Sequence, residues 1–283
     1  MKPYSKINSG ITLVALFVFL AFSGCNSPTT SDQKTNTAKA DTLKKGITLS
    51  PETQILLSKF PTPFEVTMML EKAKAGFIID LTNPPANANK YTTEISKALA
   101  LGVYSADLSY SATYNRTDET GKFLVCTNKL ADELGISGVY DQSMLDKVKK
   151  YNNNKDSLVV LINNVFNQTK EFLAKNNRNR IAAIIAAGGF SEGLYLAASL
   201  GEVSRDNTKI MAIIANQKEN HMKLFTILEE YSSDENIKPV SEGIARLKPI
   251  WNIYDIESGK KIPQPKAVEI SKLTESVRSV FVK

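Results

Sequence analysis

Residues 181–201, IAAIIAAGGFSEGLYLAASLG, decide the fold, because they carry a single charged side chain, that of Glu192. A helix that is apolar on nearly all sides belongs in an interior, either of a protein or of a membrane. The glutamate, the pair Gly188-Gly189 and the several serines argue against a membrane span. We therefore expect a central core helix here, with the glycine pair allowing a second helix to approach closely.

A second stretch has the same character. Residues 98–114, ALALGVYSADLSYSATY, contain Asp107 as their only charged residue, so they predict another interior helix. Apolar residues recur at helical spacing along the rest of the body. Residues 158–165 and 181–187 could form buried strands, but their flanks continue at helical spacing. The sequence predicts an all-α protein of about eight to ten helices, either a bundle or a solenoid-like stack of helix pairs.

Capping residues and prolines indicate where these helices begin and end. A serine, threonine, asparagine or aspartate before an apolar run predicts a helix start, and proline fits the first turn. The sequence Thr62-Pro63-Phe64-Glu65 has the spacing of a capping box, and Gly135 followed by Ile136 predicts a Schellman stop. The predicted caps, in chain order, are Ser50, Thr62, Thr92 or Thr93, Asp156 and Asn177.

The N-terminal residues have the pattern of an export signal. Lys2 and Lys6 precede an uncharged apolar run over residues 11–22, which is too short to span a bilayer comfortably. The sequence that follows, Phe22-Ser23-Gly24-Cys25, resembles a bacterial lipobox. The resemblance implies a lipoprotein signal peptide at residues 1–24 and acylation of Cys25, hence a membrane partner through the lipid. The alternative is an ordinary secretory signal with a chance cysteine.

Residues 25–45 comprise the cysteine that the lipobox resemblance implies is lipidated, followed by a predicted disordered tether. The tether is predicted because residues 26–45 contain almost no apolar side chains. In Bacteroidota-type lipoproteins, an acidic cluster just after the lipidated cysteine resembles a surface-export signal. The tether lacks such a cluster after Cys25. We therefore expect the protein to be anchored in the outer membrane, with its body facing the periplasm. Asp41-Thr42-Leu43 resembles the O-glycosylation motif of that phylum and suggests Thr42 as a modified residue; residues 156–158 match the motif too. Residues 46–283 are predicted to form a single helical domain.

Several polar residues fall on faces that should be buried, where they cost free energy unless they are satisfied. We therefore expect an internal polar network of carboxylates, tyrosines, an amide and the single histidine. Three interpretations stay open: a structural network that holds helices in register, the floor of a ligand pocket, and an acid–base site built on Glu192 or Asp107. The residues are Tyr104, Asp107, Tyr110, Glu192, Tyr195, Gln217 and His221.

Composition excludes several classes of function. The chain has 35 Lys and Arg against 29 Asp and Glu, but six of the basic and two of the acidic residues precede residue 46. The body is therefore nearly neutral, and we expect no nucleic-acid partner. One histidine and two cysteines argue against a metal site, and Cys126 fits a core position. Phosphate-loop, nucleophile-elbow and zinc-protease motifs are absent, so we expect no cofactor and identify no catalytic residue.

The body also resembles a group of proteins. The strings LALGVYSADLSYSATYN, TNKLADELGI and AGGFSEGLYLAA are similar to helical lipoproteins of Bacteroidota that have no assigned activity. The resemblance implies a lipid-anchored binding or scaffold module in the cell envelope, with an unknown envelope protein as its partner. A periplasmic binder of a small ligand, with the polar network as its pocket, is the alternative. An envelope enzyme of unrecognised type is a third hypothesis.

Overall fold

The structure is a computed structural model that describes residues 48–136, 138–139, 142–151, 154–253 and 256–283. The predicted signal peptide (1–24), the lipidated cysteine and tether (25–45), and with them Cys25 and Thr42, lie outside the described residues. The described part belongs to a unit that begins at Gly46.

The prediction of an all-α fold is confirmed, since the described residues contain helices and turns and no β-strand. Short 3-10 helices occur at Ile79–Leu81, Pro85–Asn89 and Lys248–Asn252. The α-helices are α1 (Pro51–Ser58), α2 (Pro63–Lys72), α3 (Glu94–Thr113), α4 (Thr117–Glu133), α5 (Gln142–Tyr151), α6 (Lys155–Lys175), α7 (Asn179–Val203), α8 (Thr208–Ala215), α9 (Gln217–Glu229), α10 (Lys238–Ala245) and α11 (Gln264–Phe281). The helix predicted over 206–231 is divided at Asn216 into α8 and α9.

Helices α3 and α7 form the centre of the molecule, and they touch backbone to backbone. A Cβ atom on Gly102 would lie 2.1 Å from the Ile185 carbonyl oxygen, and one on Gly188 would lie 2.1 Å from that of Leu99. Only glycine permits this approach. By length and composition α7 could cross a membrane, but its most apolar window is entirely buried inside the protein. The glycine pair therefore serves close helix contact, as predicted.

The other helices surround this central pair. Helices α2, α4 and α6 contact α3, while α11, α8, α6 and α9 contact α7. Because α7 contacts helices far from it in the chain, including α2 and α11, the arrangement is the bundle rather than the solenoid-like stack. The bundle places α11, the last helix of the chain, directly against the central helix.

Four helices end in the same way, with one residue in the left-handed conformation and two backbone hydrogen bonds back into the last turn. Gly135 has φ of 68° and the Ile136 amide donates to Ala131 O at 2.8 Å, which confirms the predicted Schellman stop. Lys74, Asn115 and Asn177 occupy the same position with φ of 61°, 55° and 55°. Asn177 was predicted to begin α7, but it ends α6 instead.

Of two other predicted caps, Asp156 is wrong, whereas Thr62 is the N-cap residue of α2 as predicted but lacks the capping bond. The side chain of Asn154, not Asp156, accepts from the Ser157 amide and caps α6. Thr62 precedes α2, but its hydroxyl donates to Asn163 Oδ1 at 2.6 Å and makes no capping bond, so the predicted capping box does not form. By contrast, Thr93 caps α3 as predicted.

Candidate functional site

The candidate site lies where α3, α7 and α11 meet, around two buried carboxylates. The guanidinium of Arg278 donates to Glu192 through Nε at 2.7 Å and Nη2 at 2.9 Å. Asp107 is fully buried beside this ion pair and accepts from the Asn83 amide at 3.0 Å through Oδ2. A bidentate arginine–carboxylate pair fixes both position and orientation. One side chain from each of three helices thus meets at a single point.

The charges at this point balance only if the two carboxyl groups share a proton. Burial and the charge of Glu192 raise the pKa of Asp107 well above its usual range, and Arg278 opposes the shift only in part. Asp107 Oδ1 has no conventional donor in reach, but a bound proton lets the carboxyl group donate to Glu192. With Asp107 neutral, Glu192 and Arg278 form a neutral pair. Burial raises the pKa of Glu192 as well, while the guanidinium lowers it.

The same face of α3 holds the segment of residues 75–84, which we name the strap. Tyr104 donates to Pro84 O at 2.8 Å, and the Tyr110 hydroxyl accepts from the Ile78 amide and donates to Gly76 O, both at 3.0 Å. Together with the Asp107 bond to Asn83, these contacts satisfy backbone groups along the length of the strap. The predicted stripe of polar residues on α3 is therefore real, and it binds the chain's own backbone.

Arg278 ties the strap to the last helix. Its Nη2 also donates to Leu81 O at 3.2 Å, and the guanidinium lies over the ring of Tyr195, 4.5 Å from the ring centroid. Tyr91 accepts from the Asn83 side chain at 2.9 Å. Tyr195 is thus at the site as predicted, although its ring face rather than its hydroxyl contacts the charged pair.

The structure places Gln217 and His221 in a second set, on α9. Trp251 Nε1 donates to His221 Nδ1 at 3.1 Å, so His221 Nε2 carries the ring proton and donates to Ile244 O at 2.8 Å. Burial lowers the pKa of this histidine. Gln217 accepts from Asn220 at 3.0 Å and donates to Ile213 O at 3.4 Å. The seven predicted residues therefore form two separate sets, each with its own partners.

An apolar cleft lies between α2, α6, α7 and α9, and of the predicted residues it includes only Gln217. The space enclosed by its walls is only about 20 Å³, and the volume reaches about 360 Å³ only when the open solvent at its mouth is counted. Its walls are mostly aromatic rings, prolines and the small residues of α7. The lining residues are Phe60, Pro61, Thr62, Pro63, Val66, Phe166, Ala186, Gly189, Phe190, Gly193, Leu194 and Gln217.

Sequence reasoning missed Arg278, which completes the site. The signal was present, because the buried stripe of α11 runs through Ile270, Thr274, Val277 and Phe281, and Arg278 lies one turn after Thr274. An arginine at that place on an amphipathic helix indicates a buried acidic partner. Trp251 is also outside the predicted set, because its bond to His221 spans 30 residues and has no local signature.

Among the described residues, no group of three or more His, Cys, Asp or Glu could hold a metal ion. Cys126 is buried, and desolvation raises the pKa of its thiol to about 11. Comparison of the chain with protein-family models, curated proteins and solved structures found no match.

Proposed function

We propose that this chain is a lipid-anchored protein of the cell envelope whose helical body acts as a binding or scaffold module. In this proposal the signal peptide (1–24) is removed, Cys25 is acylated, and the tether holds the body near the outer membrane on its periplasmic side. The lipobox-like sequence and the resemblance to Bacteroidota lipoproteins support the anchor. Several acyl chains on one cysteine would make that attachment stable.

One observation favours a scaffold over an enzyme. Glu192 is held in a bidentate pair by Arg278, and Asp107 binds the backbone of the strap. A general acid or base must reach a substrate proton directly or through one water, whereas both carboxyl groups are fully buried among helices. The polar groups thus hold three helices and the strap in place. This arrangement favours the first of the three interpretations, a structural network that holds helices in register.

The anchor is tested by a pair of cysteine variants. Cys25→Ser should move the protein from the membrane fraction to the periplasmic fraction and abolish incorporation of a labelled fatty acid. Cys126→Ser is the matched control, since Cys126 is buried beside Pro85 O and should leave both readouts unchanged. Continued membrane fractionation of Cys25→Ser would refute the anchor.

The alternative function is the binding of a small ligand in the periplasm, and the apolar lining of the cleft is the feature that favours it. Ligand sites typically enclose a few hundred cubic ångströms, whereas the cleft encloses about 20 Å³, so it would have to widen to take a ligand. Gly193 lines the cleft, and a Cβ there would lie 3.8 Å from Val66, so Gly193→Leu would fill it. Gly121, exposed on α4 with open space around it, provides the control Gly121→Leu.

Mass spectrometry of small molecules that remain with the purified protein tests this candidate. A binder should carry a molecule that is lost in Gly193→Leu and kept in Gly121→Leu. Retention of the same molecule by both variants would place it elsewhere on the protein. A wild-type protein that carries no molecule would leave the scaffold as the better hypothesis.

A further inference from the structure

One guanidinium, that of Arg278, contacts both the bundle and the strap. Arg278, near the end of α11, bonds Glu192 on α7 and Leu81 O in the strap. Two residues further along the strap, the Asn83 amide bonds Asp107. The strap is bound by Tyr104 and Tyr110 as well. Even so, Asp107, Glu192 and Arg278 link the strap to α11, and a change in the protonation of these three ionisable side chains affects both.

We propose that Asp107, Glu192 and Arg278 form a proton-dependent latch, in which one proton shared by the two carboxyl groups keeps α11 and the strap docked on α3 and α7. Loss of that proton leaves two buried carboxylates facing a single guanidinium. The excess negative charge is then relieved when α11 and the strap detach together and water reaches the site.

The geometry specifies the role of the proton. Asp107 Oδ2 is occupied by the Asn83 amide, while Oδ1 has no donor to satisfy it. A buried oxygen without a partner costs free energy, and a proton shared with Glu192 removes that cost. The guanidinium can neutralise one carboxylate, and its bidentate bonds assign it to Glu192.

The phenols and the thiol that face the latch stay neutral at physiological pH, so they carry no charge that could offset a second carboxylate. Burial raises the pKa of each of the phenols, to about 12 for Tyr110, and raises the Cys126 thiol to about 11. Glu275 acts on Tyr195 from α11 and adds to the negative charge on that side. The facing neutral groups are Tyr91 before α3, Tyr104 and Tyr110 on α3, Cys126 on α4 and Tyr195 on α7.

A definite pH dependence follows from this arrangement. The docked state holds one proton on the carboxyl pair, whereas in the detached state both carboxyl groups regain ordinary pKa values near 4. Detachment therefore releases one proton, and the equilibrium constant for detachment rises about tenfold per pH unit between about pH 5 and the raised pKa of Asp107. The sign of this pH dependence is general: when folding raises the pKa of an acid, the stability that the acid contributes is lost as the pH rises.

Hydrogen exchange of the purified full chain, followed by mass spectrometry between about pH 5 and 8, tests the latch. After correction for the intrinsic pH dependence of amide exchange, protection of α11 and of the strap should fall as the pH rises, by up to about tenfold per pH unit below the raised pKa of Asp107. Asp107→Asn should abolish this slope, because the amide can donate to Glu192 and accept from Asn83 without a titratable proton. Asp80→Asn is the matched control, since Asp80 is an exposed residue of the strap.

Three outcomes would overturn the proposal. A flat profile in the wild type would mean that detachment releases no proton. An unchanged slope in Asp107→Asn would assign the proton to another group. Equal slopes in α4 and α6, which lie outside the latch, would mean that the whole domain unfolds rather than the latch. Wild-type behaviour of Asp80→Asn, with a slope confined to α11 and the strap, would support the proposal.

Discussion

Arg278 is the residue whose loss should affect stability most, because its guanidinium is the counter-charge of the buried Glu192 carboxylate. Arg278→Met leaves a buried carboxylate without a counter-charge, so we expect a loss of about 3 kcal/mol in unfolding free energy near pH 7. Part of that loss should return at about pH 5, where the second carboxyl group takes up a proton. Urea unfolding at the two pH values measures both effects.

The exposed Arg205 provides the comparison for that substitution. Arg205→Met removes the same positive charge at the surface, where single substitutions usually change stability by less than about 0.5 kcal/mol. Similar losses in the two variants would mean that net charge, rather than the buried ion pair, accounts for the effect of Arg278→Met.

His221 should make the protein less stable in acid. Its Nδ1 accepts from Trp251, so protonation of that nitrogen breaks the bond and places a charge in a buried site. Because folding lowers the pKa of His221 below its usual value near 6.5, stability contributed by the neutral ring is complete above that pH and lost as the pH falls. Melting temperatures between about pH 7.5 and 5 should fall less in His221→Gln than in the wild type.

The fluorescence of the single tryptophan should report protonation of His221 directly. Trp251 lies 5.5 Å from the imidazole, measured between ring centroids. Its fluorescence should titrate with a midpoint below about 6.5, as expected for a histidine with a lowered pKa. A midpoint at or above 6.5 would contradict the assignment of a neutral, buried ring in the folded protein.

Sequence spacing located individual site residues better than it located their partners. Tyr104, Asp107 and Tyr110 recur every three residues, so a shared face of α3 followed from helical geometry alone. Their partners are backbone atoms of the strap, an irregular segment, at Gly76, Ile78, Asn83 and Pro84. Backbone partners produce no pattern of side chains that the sequence could reveal. The bond of Glu192 to Arg278 joins residues 86 apart, a distance over which periodicity carries no information.

At the scale of elements, contact between α3 and α7 should tolerate no side chain at Gly188. Gly188→Ala would place a Cβ 2.1 Å from Leu99 O and force the central helices apart. Overpacking of this kind costs about 1–3 kcal/mol, and we expect the upper part of that range because the obstacle is backbone. Denaturant midpoints measure the loss.

Gly193 on the same helix provides the control for that prediction. A Cβ there meets only the side chain of Val66 at 3.8 Å, which is an ordinary contact. Gly193→Ala should therefore leave stability unchanged or raise it by up to about 1 kcal/mol through helix propensity. Equal destabilisation of the two variants would mean that glycine is needed on α7 for flexibility rather than for close approach.

The helices were easier to predict than their ends. The two interior helices followed from the scarcity of charge in 98–114 and 181–201, and burial of α3 and α7 confirms that reasoning. Ends depend on which of several adjacent polar residues makes the capping bond. Asn154 and Asp156 are equally suitable by type, and Asn177 suits either the end of α6 or the start of α7, so tertiary contacts decided these cases.

At the scale of the whole molecule, the first and last helices of the body both pack against other helices of the body. The start of α1 is held by Glu230 at the end of α9, which accepts from the Ser50 amide and hydroxyl at 2.7 Å each. At the other end of the chain, α11 contacts α7 and α10. Both ends of the body are thus fixed by contacts within the body.

A chain of residues 46–283 should therefore fold without the preceding 45 residues. We expect it to match the full chain in helix content and melting temperature, measured by circular dichroism. Its net charge falls from +6 to about +2, because six of the 35 basic and two of the 29 acidic residues are removed. Affinity for nucleic acid depends on clustered positive charge, so the shortened chain should not bind DNA at physiological salt. Tight, salt-sensitive binding would reveal a basic surface on the body and would contradict the exclusion of a nucleic-acid partner.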